Sequence, residues 1–145
     1  MTGLAMAQKE KGTHILSTRT EHPSVLQTLK YLETQGFSVS YVPVDSIGRI
    51  EVNALKKVIR QDTILATFAH ASSELGTIQD LAMLGRLLAK HDILFHSDCV
   101  QTFGKLPIPF ELLTSFSITA HKIYGPKGIG AVFIKSNQFW RPFFG

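Results

Sequence analysis

The sequence predicts an α/β fold with three αβα layers, in which helices cover both faces of a mainly parallel sheet. Short apolar runs typical of strands alternate along the chain with longer runs whose apolar residues recur every three or four positions, as in amphipathic helices. Polar or glycine-rich segments follow several strand-like runs. Alternation of this kind builds βαβ units, whose functional sites lie at the carboxyl ends of the strands.

The predicted elements follow one another as strand and helix along the whole chain. The first half is predicted to contain a strand over 14–18, a helix over 23–35, an extended segment over 38–44, a turn at 45–48, a helix over 53–60 and a strand over 63–69. The second half is predicted to contain a helix over 78–91 and strands over 93–97, 115–119 and 129–134. The inward face of the helix over 78–91 is predicted to carry Leu81, Leu84, Leu87 and Leu88. No repeat, low-complexity tract or linker interrupts this pattern, so residues 1–145 are predicted to form one domain.

The composition argues against nucleic acid and membrane partners. The chain has 15 basic and 11 acidic residues, and the basic residues are spread along it, which is weak evidence for nucleic-acid binding. No run of 18 apolar residues suggests a membrane span, and the N-terminus lacks the apolar core of a signal peptide. A single cysteine fits a reducing compartment. These features together predict a cytoplasmic location.

Lys122 is the leading candidate for a catalytic residue. It follows the predicted strand over 115–119, and strand ends are where α/β sheets build sites. An ammonium group beside apolar walls loses hydration, which favours the neutral amine that forms Schiff bases with aldehydes. The alternative is an ordinary surface lysine beside a turn.

The glycines after Lys122 have two interpretations. The segment Gly125-Pro126-Lys127-Gly128-Ile129-Gly130 lacks the Walker spacing, and no helix clearly follows it, so a nucleotide-binding loop is disfavoured. We expect instead that these glycines let the backbone bend tightly after Lys122 and pack against the site.

Asp98 is the second candidate, because it ends the strand-like run over 93–97. A buried carboxylate needs a partner, and the protonated ring nitrogen of a pyridine cofactor is one that a carboxylate binds strongly. Taken alone, Asp98 is better explained as a helix-capping or turn aspartate. Together with Lys122 it supports a cofactor hypothesis.

His22 precedes Pro23, a residue well suited to the first turn of a helix, so His22 is predicted at the N-cap. A helix N-terminus disfavours a positive charge, and a neutral ring can stack on a cofactor and exchange protons. The alternative is a histidine that only starts a helix. Four further histidines show no metal-ligand spacing with Cys99 and are interpreted as structural, with no metal site: His14, His70, His91 and His96.

With these residues in place, the chain resembles the cysteine desulfurases, which are pyridoxal phosphate (PLP) enzymes of the class V aminotransferase group with the type I fold. The resemblance runs from about Gly3 to Gly145. Its main motifs are Thr18-Arg19-Thr20-Glu21-His22-Pro23, Glu74-Leu75-Gly76-Thr77, His96-Ser97-Asp98, Gly104-Lys105-Leu106-Pro107 and His121-Lys122-Ile123-Tyr124-Gly125-Pro126-Lys127-Gly128. Several such motifs in the family's order are more specific than any one of them.

The resemblance implies a role for each matched residue. Lys122 corresponds to the lysine that holds PLP covalently and later moves protons at the substrate carbon. Asp98 corresponds to the partner of the pyridinium nitrogen, Gln101 to the amide that binds the phenolic oxygen, and His22 to the imidazole that stacks over the ring. Thr119 and His121 match positions that help hold the phosphate.

The sequence departs from the family at several points. Ser73 stands where the family usually has an asparagine that helps grip cofactor or substrate, and a hydroxyl is shorter and donates only one hydrogen bond. The family's upstream phosphate-binding segment and its downstream loop cysteine, which carries sulfur as a persulfide, have no counterpart here. Cys99 follows Asp98 directly and is interpreted as a small core residue.

These departures predict that the chain is part of the PLP-binding large domain, with exposed sheet edges where other elements would pack. The implied activity is conversion of L-cysteine to L-alanine, with sulfur passed to an acceptor protein for iron–sulfur clusters or thio-cofactors. A homodimer or a complementing fragment is the expected partner. Two alternatives stay open: an inactive remnant or partner-docking fragment, and a selenocysteine lyase or another class V enzyme.

Overall fold

A computed structural model of the chain describes residues 1–142. The helices within this range are α1 (Thr2–Ala7), α2 (Pro23–Thr34), α3 (Val52–Val58) and α4 (Leu81–Ala89). The strands are β1 (His14–Ser17), β2 (Ser38–Tyr41), β3 (Thr63–Ala69), β4 (Leu94–Asp98), β5 (Ser115–Thr119) and β6 (Gly130–Ile134). Short 3-10 turns cover Phe110–Leu112 and Ala120–Lys122.

The strands form one sheet in the order β2-β1-β3-β4-β5-β6. The first five are parallel to their neighbours, and β6 runs antiparallel to β5. Parallel strands bring their carboxyl ends to one edge, and the register places Ala69 of β3 beside Asp98 of β4 and Asp98 beside Ser117 of β5. The prediction of a mainly parallel α/β sheet is confirmed.

Two apolar clusters cover the two faces of the sheet, as the three-layer prediction requires. Leu16 and Ala66 pack with side chains of α3 and α4, while their neighbours Ile15 and Leu65 pack with α1 and α2. Successive strand residues point to opposite faces, so each buried strand needs apolar side chains at consecutive positions. Strand β3 satisfies this requirement, since six of its seven residues are buried.

Several predicted boundaries differ from the structure. Helix α4 starts at Leu81 rather than at residue 78, because the carboxylate of Asp80 accepts a hydrogen bond from the Met83 N–H at 2.8 Å and caps the helix. Ile78 instead forms an isolated β-bridge with Ala71. Leu81, Leu84 and Leu88 are buried as expected, whereas Leu87 is only partly buried.

At the amino-terminal half, β2 ends at Tyr41 rather than at residue 44, and Val44 makes only an isolated bridge with Ile50. The predicted turn is present: Asp45 Oδ1 accepts hydrogen bonds from two backbone N–H groups, and Gly48 adopts a φ of 83°. Helix α1 is an element that the sequence pattern did not predict.

Strand β6 is the exposed edge of the sheet. Val132 is 55% exposed and Phe133 is 41% exposed, although both belong to an apolar strand. The expectation of an uncovered sheet edge is therefore confirmed for β6. Among residues 1–142, no helix has the length and apolar character that crossing a bilayer requires.

Candidate active site

A cavity of about 370 Å³ opens at the carboxyl edge of the sheet. Its walls come from the segments that follow β1, β3, β4 and β5, as expected for a parallel α/β sheet. All seven residues that the sequence singled out line it: His22, Ser73, Asp98, Gln101, Thr119, His121 and Lys122. The fold thus brings together side chains that are up to 100 positions apart in the chain.

Asp98 is the last residue of β4 and is partly buried. Its Oδ1 accepts a hydrogen bond from the Val100 N–H at 2.9 Å, which fixes the carboxyl group at the strand end. Burial raises the pKa of Asp98, whereas the hydrogen bond from the Val100 N–H lowers it, as would a positive charge on the nearby His22 ring. A cationic group in the cavity would supply the counter-charge that this carboxylate lacks.

His22 is the N-cap of α2, as predicted. The Ser24 N–H donates to Nδ1 of the ring over 3.2 Å, and the Ser24 hydroxyl lies 2.7 Å from the same nitrogen. A nitrogen that accepts from the helix N-terminus must keep its lone pair, so the neutral ring carries its proton on Nε2. The ring is therefore held at the cavity wall through one nitrogen.

Lys122 ends the 3-10 turn that follows β5. Its side chain lines the cavity but is exposed, so the expected apolar walls around it are not present in the described chain. The expected tight bend is present: the N–H groups of Ile123 and Gly125 both donate to the carbonyl of Ala120 over 2.9 Å. A Cβ at Gly125 would lie 2.8 Å from the Cβ of Ala120, so glycine is required for this close approach.

Thr119 and His121 form a pair beside Lys122. Thr119 Oγ1 lies 2.9 Å from His121 Nδ1 and 3.2 Å from the carbonyl oxygen of Ile129. If the hydroxyl donates to the Ile129 carbonyl, the ring must carry its proton on Nδ1 and donate to Thr119. If the hydroxyl instead turns away from that carbonyl and donates to Nδ1, the ring carries its proton on Nε2 and can donate it to an anion in the cavity.

Gln101 and Ser73 occupy the turn after β4 and the loop after β3. Ser73 is exposed at the cavity rim. The loop is shaped by Ser72, whose hydroxyl accepts from the N–H groups of Glu74 and Leu75 at 3.3 and 3.2 Å. Ser73 therefore projects from a loop with its own local hydrogen bonds.

Glu21 also lines the cavity, and the sequence analysis assigned it no role. It is 6% exposed, and its Oε1 accepts from the Thr18 hydroxyl at 2.9 Å and from the Ala69 N–H at 3.0 Å. Burial raises its pKa to about 7 against these two hydrogen bonds, and Asp98 adds to the rise. The sequence offered one signal for this residue: Glu21 follows the predicted strand over 14–18 and directly precedes His22, the predicted N-cap.

The other candidate side chains are structural. Cys99 is fully buried, and burial raises the pKa of its thiol to about 11 against hydrogen bonds with Ser97 and Thr102. His14, His70 and His96 are buried and each pairs with a hydroxyl, on Thr63, Thr102 and Ser115 respectively. Burial lowers the pKa of His96 to about 3. Within residues 1–142, no group of three or more His, Cys, Asp or Glu side chains could hold a metal ion.

Comparison with known proteins identifies the family. The model of the family described as aminotransferase class-V matches residues 1–145. The chain belongs to this family. Class-V relatives include a protein of Halalkalibacterium halodurans named "Putative cysteine desulfurase NifS", which is 50% identical over 143 residues. The cysteine desulfurase IscS of Dictyoglomus turgidum is 44% identical over 142 residues.

These class-V relatives are much longer than the chain. The matches cover 99% and 97% of the chain but 38% and 36% of the two relatives. A solved NifS-like protein superposes with a TM-score of 0.92 at 38% identity, over 98% of this chain and 40% of that one. SspA, solved in complex with cysteine, gives 0.90 at 37% identity, over 97% and 42%. The resemblance to cysteine desulfurases and their type I fold is confirmed.

Proposed function

We propose that the chain is the PLP-binding part of a cysteine desulfurase, which converts L-cysteine to L-alanine and passes the sulfur to an acceptor protein. The observation that carries this proposal is the convergence of Lys122, Asp98, Gln101 and His22 on one cavity. Relatives named as cysteine desulfurases match nearly the whole chain, which supports the same substrate. The neighbour solved with cysteine supports it further.

The residues around the cavity fit PLP by their chemistry. A lysine amine, a partly buried carboxyl group and an imidazole face one space, beside an amide and hydroxyl donors. Asp98 is the most specific of these, because burial without a counter-charge opposes its ionisation. A protonated ring nitrogen would stabilise the carboxylate there, so the cofactor and the cavity are electrostatically complementary.

When bound, PLP supplies an electron-poor ring that withdraws electrons from the carbon of an attached amino acid. Lys122 would provide the amine that holds the cofactor, and the same amine could accept or return a proton at the substrate carbon. Asp98 would stabilise the protonated ring nitrogen. His22 presents its ring, which carries a proton on Nε2, along the cavity wall.

Thr119 and His121 are the proposed phosphate contacts. Their donors lie on the same strand end as Lys122, so one rigid segment would hold both the phosphate and the covalent attachment. Gln101 is the proposed donor to the phenolic oxygen. Ser73 is proposed at the position that grips cofactor or substrate, where its hydroxyl replaces a carboxamide and leaves space that a water molecule can fill.

The sulfur acceptor, the homodimer and the cytoplasmic location are part of the same proposal. Cys99 does not suit the role of sulfur carrier, because a buried thiol with a pKa of about 11 forms little thiolate near neutral pH. The carrier thiol would be supplied by another segment or by a partner. Delivery to iron–sulfur clusters or thio-cofactors follows from the family resemblance.

One specific observation favours a second candidate, a partner-docking role without catalysis by this chain alone. Lys122 is exposed rather than set between apolar walls, and the single cysteine is buried, as expected for a core residue, so residues 1–142 offer no accessible thiol to carry sulfur. Selenocysteine lysis stays an alternative substrate choice, and both amino acids can be assayed with the same protein.

The deciding experiment combines PLP titration with borohydride reduction of the purified chain and peptide mass analysis. A visible absorption band and a reduced cofactor adduct on Lys122 are the expected results. Both should disappear in Lys122→Ala and persist in Lys127→Ala, a nearby exposed lysine that does not line the cavity. A folded chain that gives no adduct, or one on another lysine, would refute the cofactor site. Alanine release from L-cysteine then separates a catalytic chain from a docking one.

A further inference from the structure

Glu21 connects the loop over 18–22, which carries His22, to the end of strand β3. Its Oε1 accepts from the Thr18 hydroxyl within the loop and from the Ala69 N–H across it. These bonds span 3 and 48 positions in the chain. One carboxyl oxygen therefore holds the loop closed and fastens it to the sheet.

The position of Ala69 gives this contact its importance. Ala69 is the last residue of β3 and stands in register with Asp98 at the end of β4. Since Glu21 directly precedes His22, the bond to Ala69 determines where α2 begins relative to Asp98. His22 is held from the other side by the Ser24 N–H, so the ring is placed between two anchors.

The surroundings of the second carboxyl oxygen of Glu21 favour the protonated form of this group. Oε2 is buried and has no hydrogen-bond partner within residues 1–142, although the residue lines the cavity. Leaving a buried charged oxygen unpaired is costly, whereas a carboxylic acid accepts both bonds on Oε1 and carries its proton on Oε2. The raised pKa of Glu21 agrees with that form.

We propose that Glu21 is a positioning residue, which fastens the loop over 18–22 to the end of β3 and thereby holds the imidazole of His22 in the cavity wall beside Asp98. The contacts of Glu21 are present in the chain without any cofactor. An effect of Glu21 on cofactor binding, in contrast, rests on the proposed PLP function.

Amide hydrogen exchange and backbone relaxation of the cofactor-free chain test the contact directly. Glu21→Ala should accelerate exchange at Ala69 roughly tenfold or more and should lower the order parameters over 19–22. Glu21→Gln should stay close to the unmutated chain, because its amide oxygen accepts the same two bonds. Thr18→Val removes one donor and should give an intermediate effect, which keeps the test decisive if Glu21→Ala does not fold. Unchanged protection in both Glu21→Ala and Thr18→Val, or a Gln variant as mobile as the Ala variant, would overturn the proposal.

Thr63→Val is the matched control. Thr63 also makes buried hydrogen bonds on β3, to His14 and the Arg60 N–H, but at the opposite end of the strand. It should lower the overall stability without changing the order over 19–22. If it loosens that loop as much as Glu21→Ala does, the role of Glu21 is merely structural and the proposal fails.

A double-mutant cycle on PLP affinity tests the consequence. Glu21→Ala should weaken PLP binding roughly tenfold, Glu21→Gln by less than about threefold, and Glu21→Ala should have no added effect in a His22→Ala background. Additive losses would show that Glu21 does not act through His22. If the unmutated chain binds no PLP, the proposed function fails, while the exchange data still decide whether Glu21 positions the loop.

Discussion

The carboxylate of Asp98 accepts the N–H of Val100 at 2.9 Å, so one of its oxygens is fixed at the end of β4 before any ligand arrives. A fixed carboxylate loses little conformational freedom on binding, which makes it a suitable partner for a cation. The contact also separates two functions of the side chain. The hydrogen bond needs only an acceptor, while recognition of a cationic ring needs the negative charge.

Asp98→Asn should therefore leave the fold intact and weaken PLP binding. The amide oxygen can still accept from Val100, but a charge-assisted bond worth about 1.5–3 kcal/mol is lost, which corresponds to roughly 10- to 100-fold in affinity. Absorbance titration measures this loss. Asp80→Asn is the matched control, since Asp80 also accepts a backbone N–H but caps α4 outside the cavity. Equal affinities of the two variants would contradict the assignment of Asp98.

The stability of the chain should depend on pH through Glu21. Its pKa is about 7 in the folded chain against an ordinary value of 4.5, so the folded state binds more protons between these values. The free energy of unfolding should therefore fall as pH rises from about 4.5 to about 7, by up to about 3 kcal/mol from this group. Urea unfolding at several pH values measures it.

Glu21→Gln should remove this dependence. It should be more stable than the unmutated chain above about pH 7 and lose that advantage below about pH 4.5. The lowered pKa of His96 acts in the opposite direction, since its contribution to stability is lost as pH falls from 6.5 towards about 3. Identical pH profiles for Glu21→Gln and the unmutated chain would show that Glu21 is ionised in the folded state without cost.

Gly125→Ala should distort the turn that carries Lys122. The added methyl group would lie 2.8 Å from the Cβ and 3.0 Å from the carbonyl oxygen of Ala120, so the backbone must move. We expect a loss of about 1–3 kcal/mol in stability, typical of overpacking, and a smaller fraction of Lys122 trapped by borohydride. Trapping at the level of the unmutated chain would mean that the turn adjusts without moving Lys122.

Cys99 should be unreactive while the chain is folded. Its side chain is fully buried and its thiol has a pKa of about 11, so a disulfide reagent near neutral pH should label it only after unfolding in urea. Cys99→Ala should keep PLP binding within about twofold, because the residue packs in the core rather than lining the cavity. Rapid labelling of the folded chain would contradict the structural role.

Much of the site could be predicted before the structure, because its residues belong to local signals. Pro23 after His22 indicated a helix start, and the ring is indeed the N-cap. The strand-like run before Asp98 indicated a strand end, and β4 ends there. The glycine after Tyr124 indicated a tight bend, and the backbone does approach closely at Gly125. Each signal depends on a few neighbouring residues.

Two of the sequence predictions that differ from the structure concern the start of α4 and the surroundings of Lys122, and both differences have a local physical reason. The apolar run from Ile78 suggested a longer helix, but the Asp80 carboxylate accepts the Met83 N–H and caps a helix that starts three residues later, at Leu81. Lys122 was expected between apolar walls because it follows a buried strand. Burial within β5 ends at Phe116, before the turn that carries Lys122.

The sequence by itself determined the alternation of strands and helices, the caps and turns, and the set of polar residues at strand ends, because these depend on side chains a few positions apart. Only the tertiary structure decided that β4 lies between β3 and β5, so that Asp98 meets the loop of His22 and the turn of Lys122. It also decided the role of Glu21, whose bond to Ala69 spans 48 positions. Such a contact depends on how the strands pack, and no local pattern of residues records it.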